Sequence, residues 1–247
     1  MIEIRSPEEI ENVRTAGKAV RKILDVLCNK AAPGVSTRQL DKIAEEIILK
    51  ANGTAAFKGY KGYPSAICAS LNSVVVHGIP SDDELLKEGD IISFDVGVGI
   101  NGYYADAAVT IAIGKISESA QKLIDVTRKS LDLGIDKALE GNRVSDISHA
   151  VQQFVESNGF SVVRKFVGHG IGRELHEEPE IPNFGQPNKG ARLKEGMLLA
   201  IEPMVNEGSY EVKIRPDGWT ACTKDGLLSA HFEHTVLVRK NKAEILT

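Results

Sequence analysis

The sequence predicts an α+β fold of two similar halves, each a pair of helices followed by β-structure. Three observations lead there. Asn101-Gly102 lies between two β-rich runs, 91–100 and 103–110, and a two-residue type I′ turn needs the positive φ that Asn and Gly accept most readily. The order helix, helix, strands occurs twice along the chain. Arg21-Lys22-Ile23-Leu24-Asp25-Val26 also matches Arg128-Lys129-Ser130-Leu131-Asp132-Leu133 at a shift of 107, which carries Gly34 onto Gly141. The expected organisation is a single domain over residues 1–247, built from pseudo-repeats at about 6–115 and 116–247.

Ser6-Pro7-Glu8-Glu9 supplies an N-cap, a first-turn proline and a capping-box glutamate, and Ile10, Val13, Val20, Ile23, Leu24 and Leu27 follow at helical spacing. Pro33-Gly34 ends that helix. Ser36 with Gln39 opens a second, with an apolar face of Leu40, Ile43, Ala44, Ile47 and Ile48, and Asn52-Gly53 closes it. A Gly- and Tyr-rich loop at 57–64 leads into β-like runs at 66–72 and 73–79 and then the hairpin. The second half predicts helices at 119–139 and 144–158 and β-like runs at 160–167, 197–202 and 230–239.

With Asn101-Gly102 as the turn, Gly97 faces Asp106 and Asp95 faces Ala108. Asp95 and Asp106 then share one face as diagonal neighbours, roughly 7–8 Å apart. Carboxylates reaching inward from such positions can bracket two hard cations about 3.5–4 Å apart.

Composition narrows the function classes. With 42% hydrophobic and 26% charged residues, the chain can bury a substantial core. Its 30 basic and 34 acidic residues give a net charge of −4, without the basic excess that phosphate binding requires, so no nucleic-acid partner is expected. Cys28, Cys68 and Cys222 are few and scattered, which argues against a disulfide framework or a zinc finger and for a reducing cytosol. No apolar run reaches the roughly 18 residues that span a bilayer, and no apolar stretch follows a basic N-terminus. Neither a membrane association nor secretion is expected.

Further potential ligands end β-like runs: His169 within Gly168-His169-Gly170-Ile171-Gly172, Glu202 before Pro203, and Glu233 in His231-Phe232-Glu233-His234-Thr235. A carboxylate in an apolar strand is expensive to bury unless it is paired or bound to metal. Most acidic residues are solvated surface charges, and taken singly Asp106 and Glu233 read that way, as His149 reads as an ordinary helix histidine. Asp95 and Glu202 are flanked by apolar residues on both sides. The glycines around His169 lack the spacing of a dinucleotide or P-loop fingerprint and read instead as clearing space for it. Together, four carboxylates and one imidazole form a hard, oxygen-rich set that suits two divalent ions better than one structural zinc.

His77-Gly78-Ile79-Pro80, Phe94-Asp95-Val96-Gly97, Tyr104-Ala105-Asp106, Gly168-His169-Gly170-Ile171-Gly172, His176-Glu177-Glu178-Pro179, Ile201-Glu202-Pro203-Met204 and Glu233-His234-Thr235 together resemble the type I methionine aminopeptidases. The resemblance covers nearly the whole chain, in the family's order and spacing. It implies the pita-bread fold, in which two pseudo-symmetric halves of helices packed on a curved, mainly antiparallel sheet flank a dimetal groove. It also implies a minimal catalytic domain, since the chain starts almost directly at its first helix and carries no N-terminal zinc-binding extension or late insertion.

Carried over by position, the resemblance makes Asp95 a ligand of one ion, Asp106 and Glu233 bridges between both, and His169 with Glu202 ligands of the second. Two ions, drawn from Co, Mn, Fe or Zn, would turn a bridging water into hydroxide near neutral pH and polarise the substrate carbonyl. Glu202 would pass a proton to the departing amine. His77 and His176 match the family's histidines that contact the scissile peptide and stabilise charge on the tetrahedral intermediate. His231, on the same strand face as Glu233, reads as a support behind the ligands, and His234, on the opposite face, as a structural histidine.

Tyr60, Tyr63, Cys68 and Trp219 match the family's methionine side-chain pocket, an apolar, aromatic slot suited to a flexible thioether. Phe57 and Leu175 occupy pocket-region positions where some relatives carry Cys and Phe, an exchange of large for small. Ser93, Val96 and Ser229 fall where family members can bind a monovalent cation. The implied activity is removal of the initiator methionine from nascent polypeptides whose second residue is small, by a cytoplasmic, ribosome-proximal monomer. The nearest alternative enzyme is a proline-specific peptidase of the same fold, which usually carries a large extra N-terminal domain. A non-catalytic pita-bread protein binding ribosomes, peptides or RNA is the other, and such proteins typically lose the ligands that are all present here.

Overall fold

The computed structural model describes residues 2–247. α1 (Pro7–Lys30) begins on Ser6, whose Oγ accepts from the Glu9 N–H at 3.3 Å while the Glu9 carboxylate accepts from the Ser6 N–H at 2.9 Å. This is the predicted reciprocal cap, and the predicted apolar stripe from Ile10 to Leu27 is buried. Ser36 and Gln39 cap α2 (Thr37–Lys50) in the same way.

Glu9 is held further by the Tyr103 hydroxyl, which donates to it at 3.0 Å. The Ser6 N–H and, after it, the Tyr103 hydroxyl hold its carboxyl down at about 2, below the ordinary value of 4.5. A carboxylate depressed in the folded state stabilises the fold above its ordinary pKa, and that contribution fades as pH falls toward the folded value. Unfolding measured between about pH 4.5 and 2 is expected to show a shallower loss of stability in Glu9→Gln than in the wild type. Equal slopes would rule this contribution out.

Five strands follow the first helix pair: β1 (Thr54–Ala55), β2 (Cys68–Leu71), β3 (Val74–Val76), β4 (Ile91–Ile100) and β5 (Tyr103–Ala112), with a 3-10 turn at Tyr60–Gly62. The second half opens with α3 (Glu118–Ile135) and α4 (Val144–Ser157). Ser117 caps α3 by accepting from the Ala120 N–H at 3.1 Å. α3 stops short of Leu139 because the chain tightens into turns after Ile135, with the Lys137 N–H on Gly134 O and the Ala138 N–H on Ile135 O. Ten short strands follow: β6 (Ser161–Val162), β7 (Gly168–Gly170), β8 (Glu177–Ile181), β9 (Leu198–Ile201), β10 (Met204–Asn206), β11 (Val212–Ile214), β12 (Ala221–Thr223), β13 (Ser229–His231), β14 (Glu233–Leu237) and β15 (Glu244–Ile245).

Nine strands form one antiparallel sheet in the order β1-β4-β5-β14-β9-β7-β8, with β2 on β4 and β15 on β14. The hairpin has the predicted register: Ile100 opposite Tyr103, Gly97 opposite Asp106 and Asp95 opposite Ala108. Asn101 (φ 53°) and Gly102 (φ 77°) both take the left-handed conformation that a type I′ turn demands. Two cores lie under the helices. One packs α1 and α2 on β4 through Val13, Leu27, Leu40, Phe94 and Val96, and the other packs α3 and α4 on β9 and β14 through Leu123, Val151, Leu199 and Val236. Since Phe94 and Val96 enter the core, strand alternation turns Asp95 to the opposite face.

The predicted run at 230–239 is two strands in two different sheets. β13 pairs with β10 in a three-stranded sheet, β14 joins the main sheet, and Phe232 between them donates its N–H to Pro203 O at 3.3 Å. The run at 160–167 is likewise strand only at Ser161–Val162. Strands β8, β11 and β12 fall in stretches whose charges and short length hide the two-residue period.

Candidate metal centre and substrate cavity

The β4–β5 hairpin brings Asp95 and Asp106 to one face, and β14 lies against β5 so that Glu233 stands opposite Ala108. Thr235 secures that seam. Its hydroxyl accepts from the Asp106 N–H at 2.9 Å and donates to Asp106 O at 2.8 Å, taking the place of a backbone pair. Thr110 does the same for His231, accepting from its N–H and donating to its carbonyl, both at 2.8 Å. Both threonines are fully buried. They share strand faces with Asp106 and Glu233, which is the signal by which the sequence could have pointed to them.

His169 enters from β7. Its Nδ1 donates to the carbonyl of Gly170 at 2.8 Å, so Nε2 keeps its lone pair for the site. Glu202 sits in the break between β9 and β10 that Pro203 enforces, with Oε1 3.6 Å from His169 Nε2 and Oε2 3.8 Å from His231 Nε2. One potential ligand atom from each of Asp106, His169 and Glu233 lies within 4.8 Å of the others, and these residues are only 4%, 7% and 2% exposed.

Asp95 Oδ1, Asp106 Oδ1 and Glu233 Oε1 are buried with no hydrogen-bond partner among the described residues, as is His231 Nε2. Such orphaned acceptors cost about 1–3 kcal/mol each, and more when charged. Burial and mutual repulsion push the carboxyls of Asp95, Glu202 and Glu233 well above their usual range, and burial raises Asp106 to about 7. Burial lowers His169 to about 3, so its imidazole is neutral and fit to ligate. Cations could balance such a cluster: Asp95, Asp106, Glu233, His169 and Glu202 offer oxygen and imidazole donors of the kind divalent ions prefer.

The centre opens onto a cavity of about 320 Å³. The five potential ligands line it, together with His77, His176, Tyr60, Tyr63, Cys68 and Trp219. Tyr63 meets Trp219 edge-on at 5.2 Å and Phe57 at 6.5 Å, and its hydroxyl donates to Gly78 O at 2.9 Å, which fixes the aromatic slot. His77 packs edge-on against Phe166 at 5.3 Å, and His176 stacks on Tyr60 at 5.1 Å. Burial lowers His77 to about 4, leaving it neutral.

Several placements differ from the sequence reading or add to it. Phe57 lines the cavity, and Leu175 is buried in the same core cluster as Phe57, Tyr63 and Cys68. Lys61, which sequence reasoning passed over, also lines the cavity. Among the described residues, six non-glycine residues have positive φ, four of them asparagines, and the other two are Lys61 (φ 46°) and His77 (φ 59°). Backbone strain of this kind gathers at functional sites. His231 stands behind Glu202, and His234 faces away, its Nδ1 2.9 Å from Thr247 Oγ1. Ser93 Oγ bonds Thr110 Oγ1 at 2.8 Å, Ser229 Oγ donates to Asn206 Oδ1 at 2.9 Å, and Val96 is buried in β4. His149 is half-buried on α4, off the cavity wall.

A cavity floored by acidic residues and one imidazole, beside an apolar slot, belongs to the class of metallohydrolases. Residues 11–240 match the profile of metallopeptidase family M24, and the chain belongs to that family. It is 54% identical to a methionine aminopeptidase of Clostridium acetobutylicum, covering 100% of this chain and 99% of the relative. It is 50% identical to methionine aminopeptidase 1 of Bacillus subtilis with the same coverage. Among solved structures, a methionine aminopeptidase from Thermotoga maritima superposes with a TM-score of 0.99 at 49% identity, covering 100% and 99% of the two chains. The prolidase of Pyrococcus furiosus shares the fold alone, with a TM-score of 0.81 at 23% identity over 99% of this chain and 65% of that one. The fold is the pita-bread fold.

Proposed function

We propose that the chain is a metal-dependent methionine aminopeptidase that removes the initiator methionine from nascent polypeptides whose second residue is small. What carries the reading is the convergence of five potential ligands, two neutral histidines and an aromatic slot on one cavity, in a chain similar end to end to methionine aminopeptidases. Asp95, Asp106 and Glu233 with His169 and Glu202 would hold two divalent ions. When bound there, such ions supply Lewis acidity that acidifies water and polarises a carbonyl.

The residues of the chain do the rest. Tyr63, Cys68 and Trp219 enclose the methionine side chain, exclude water from it and so aim the scissile carbonyl at the acidic floor. His77 and His176, uncharged because burial lowers both, offer N–H donors where negative charge develops on the carbonyl oxygen. Glu202 takes a proton at one carboxylate oxygen and delivers it to the departing amine. The same reading puts a monovalent cation beside Ser93, Val96 and Ser229, and makes the chain a cytoplasmic, ribosome-proximal monomer. Its three free cysteines agree with a reducing compartment, and none of its described helices is long and apolar enough to cross a membrane.

The test pairs metal analysis of the purified protein with release of Met from Met-Ala-Ser, Met-Leu-Ser and an Xaa-Pro peptide. We expect about two divalent ions per chain and turnover of Met-Ala-Ser far above the other two, abolished by chelation. No metal-dependent release of Met would sink the assignment, and preference for the Xaa-Pro peptide would replace it with a proline-specific one.

A further inference from the structure

We propose that Arg5 is a positioning residue for His176: its buried guanidinium, acting through Glu177, fixes the loop that carries His176 into the cavity. The proposal rests on the reading of His176 as a substrate contact. Arg5 precedes α1 and is only 8% exposed, and a charge that deep is expensive unless it is paired. Its Nη2 donates to Glu177 Oε2. The other oxygen of Glu177 accepts from the N–H of Arg173 at 2.8 Å and of Glu174 at 3.1 Å. One carboxylate thus ties the N-terminal segment to both arms of the 173–177 loop, a glutamate of the His176-Glu177-Glu178-Pro179 motif that the mechanism leaves unused.

The guanidinium also occupies space at the start of that loop. A Cβ on Gly172 would come within 2.6 Å of Arg5 Nη2 and 2.9 Å of its Cζ, so only glycine lets the plane lie against the backbone. Gly172 O in turn accepts from the Tyr104 N–H at 2.7 Å, which anchors the loop to β5. Arg5 is itself seated by its N–H, which donates to Gly196 O at 3.0 Å. His176 has softer supports: the ring of Tyr60 and that of His169, centroids 4.2 Å apart. Its position therefore depends on the backbone of its loop, and that backbone depends on the Arg5–Glu177 pair.

Met release from Met-Ala-Ser should be measured for Arg5→Met, Arg5→Lys and Glu177→Gln, each alone and with His176→Ala, at matched metal content and well below each unfolding midpoint. Arg5→Met and Glu177→Gln are expected to lower kcat/KM by about tenfold to a hundredfold with metal content unchanged, the scale of a 1 Å misplacement. Arg5→Lys, which keeps one donor for Glu177, recovers part of the loss. In the His176→Ala background the same changes are expected to cost less than about twofold, because the group they position is gone. Losses that multiply in that background overturn the proposal. If Arg5→Met does not fold, Arg5→Lys and Glu177→Gln carry the same comparison. A readout independent of activity is the imidazole NMR signal of His176, identified by its loss in His176→Ala. It should shift or broaden in the Arg5 and Glu177 variants while those of His149 and His234 stay in place. An unmoved His176 signal overturns the latch, whereas a wild type that releases no Met counts against the activity instead.

Discussion

Asp106→Asn is expected to reduce bound divalent metal below the wild-type complement and to lower kcat/KM for Met-Ala-Ser by at least about a thousandfold, equivalent to roughly 4 kcal/mol of transition-state stabilisation. Asp106 is one of the three residues whose ligand atoms come within 4.8 Å of one another, and its Oδ1 has no protein partner. An amide keeps the shape but gives up the charge. The same change should have the opposite sign on the metal-free fold: one buried carboxyl fewer, in a cluster whose members raise each other's pKa, leaves the chelated protein at least as stable as the wild type. Unfolding midpoints with and without metal check both halves of this expectation, since a ligand that binds only the folded state raises the midpoint by an amount that grows with the logarithm of its concentration over its Kd. A metal-induced rise as large in Asp106→Asn as in the wild type would remove Asp106 from the ligand set.

Gly170→Ala is expected to cost about 1–3 kcal/mol of stability and most of the activity, by at least roughly a hundredfold. Its Cβ would lie 2.1 Å from Glu178 O and 3.1 Å from Glu177 O, against backbone that has no rotamer to yield. To relieve that clash β7 must move off β8. His169, the preceding residue of β7, would then lose its place beside Glu202, and the carbonyl that orients its ring would turn with it. Circular dichroism melts together with metal content and Met release separate the two effects: a variant with wild-type metal binding and rate would show that β7 adapts at no cost to the site.

What was legible in the sequence was local or followed from one strong local signal. Asn101-Gly102 fixed a register, and a register fixes faces, so Asp95 and Asp106 could be placed together from the sequence alone. Ser6 with Glu9 and Ser36 with Gln39 marked helix starts to the residue, because capping is chemistry within one turn. His169, Glu202 and Glu233 stood out as costly charges in apolar surroundings, but only the family pattern said that they meet the hairpin's acids. The clamps made by Thr235 and Thr110 were hidden because their partners lie 129 and 121 residues away. The break at Phe232 was hidden because an apolar run reads the same whether it stays in one sheet or passes between two. Lys61 on the cavity wall was hidden for a similar reason: which side chain of a loop reaches the wall depends on backbone torsions, and at Lys61 these are left-handed where sequence statistics favour glycine or asparagine.

The seam between β5 and β14 has a consequence for how the molecule holds together. There the Cα partners are only Glu233 with Ala108 and His234 with Ala107, and Thr235 reaches across to Asp106. A cation gripped by Asp106 and Glu233 would bridge positions on either side of a long stretch of chain, and so behave as a reversible cross-link. Like a disulfide closing a long loop, it would remove far more freedom from the unfolded chain than from the folded one. The centre would then serve as both catalyst and clasp, tying the assembly of the two halves to the supply of metal.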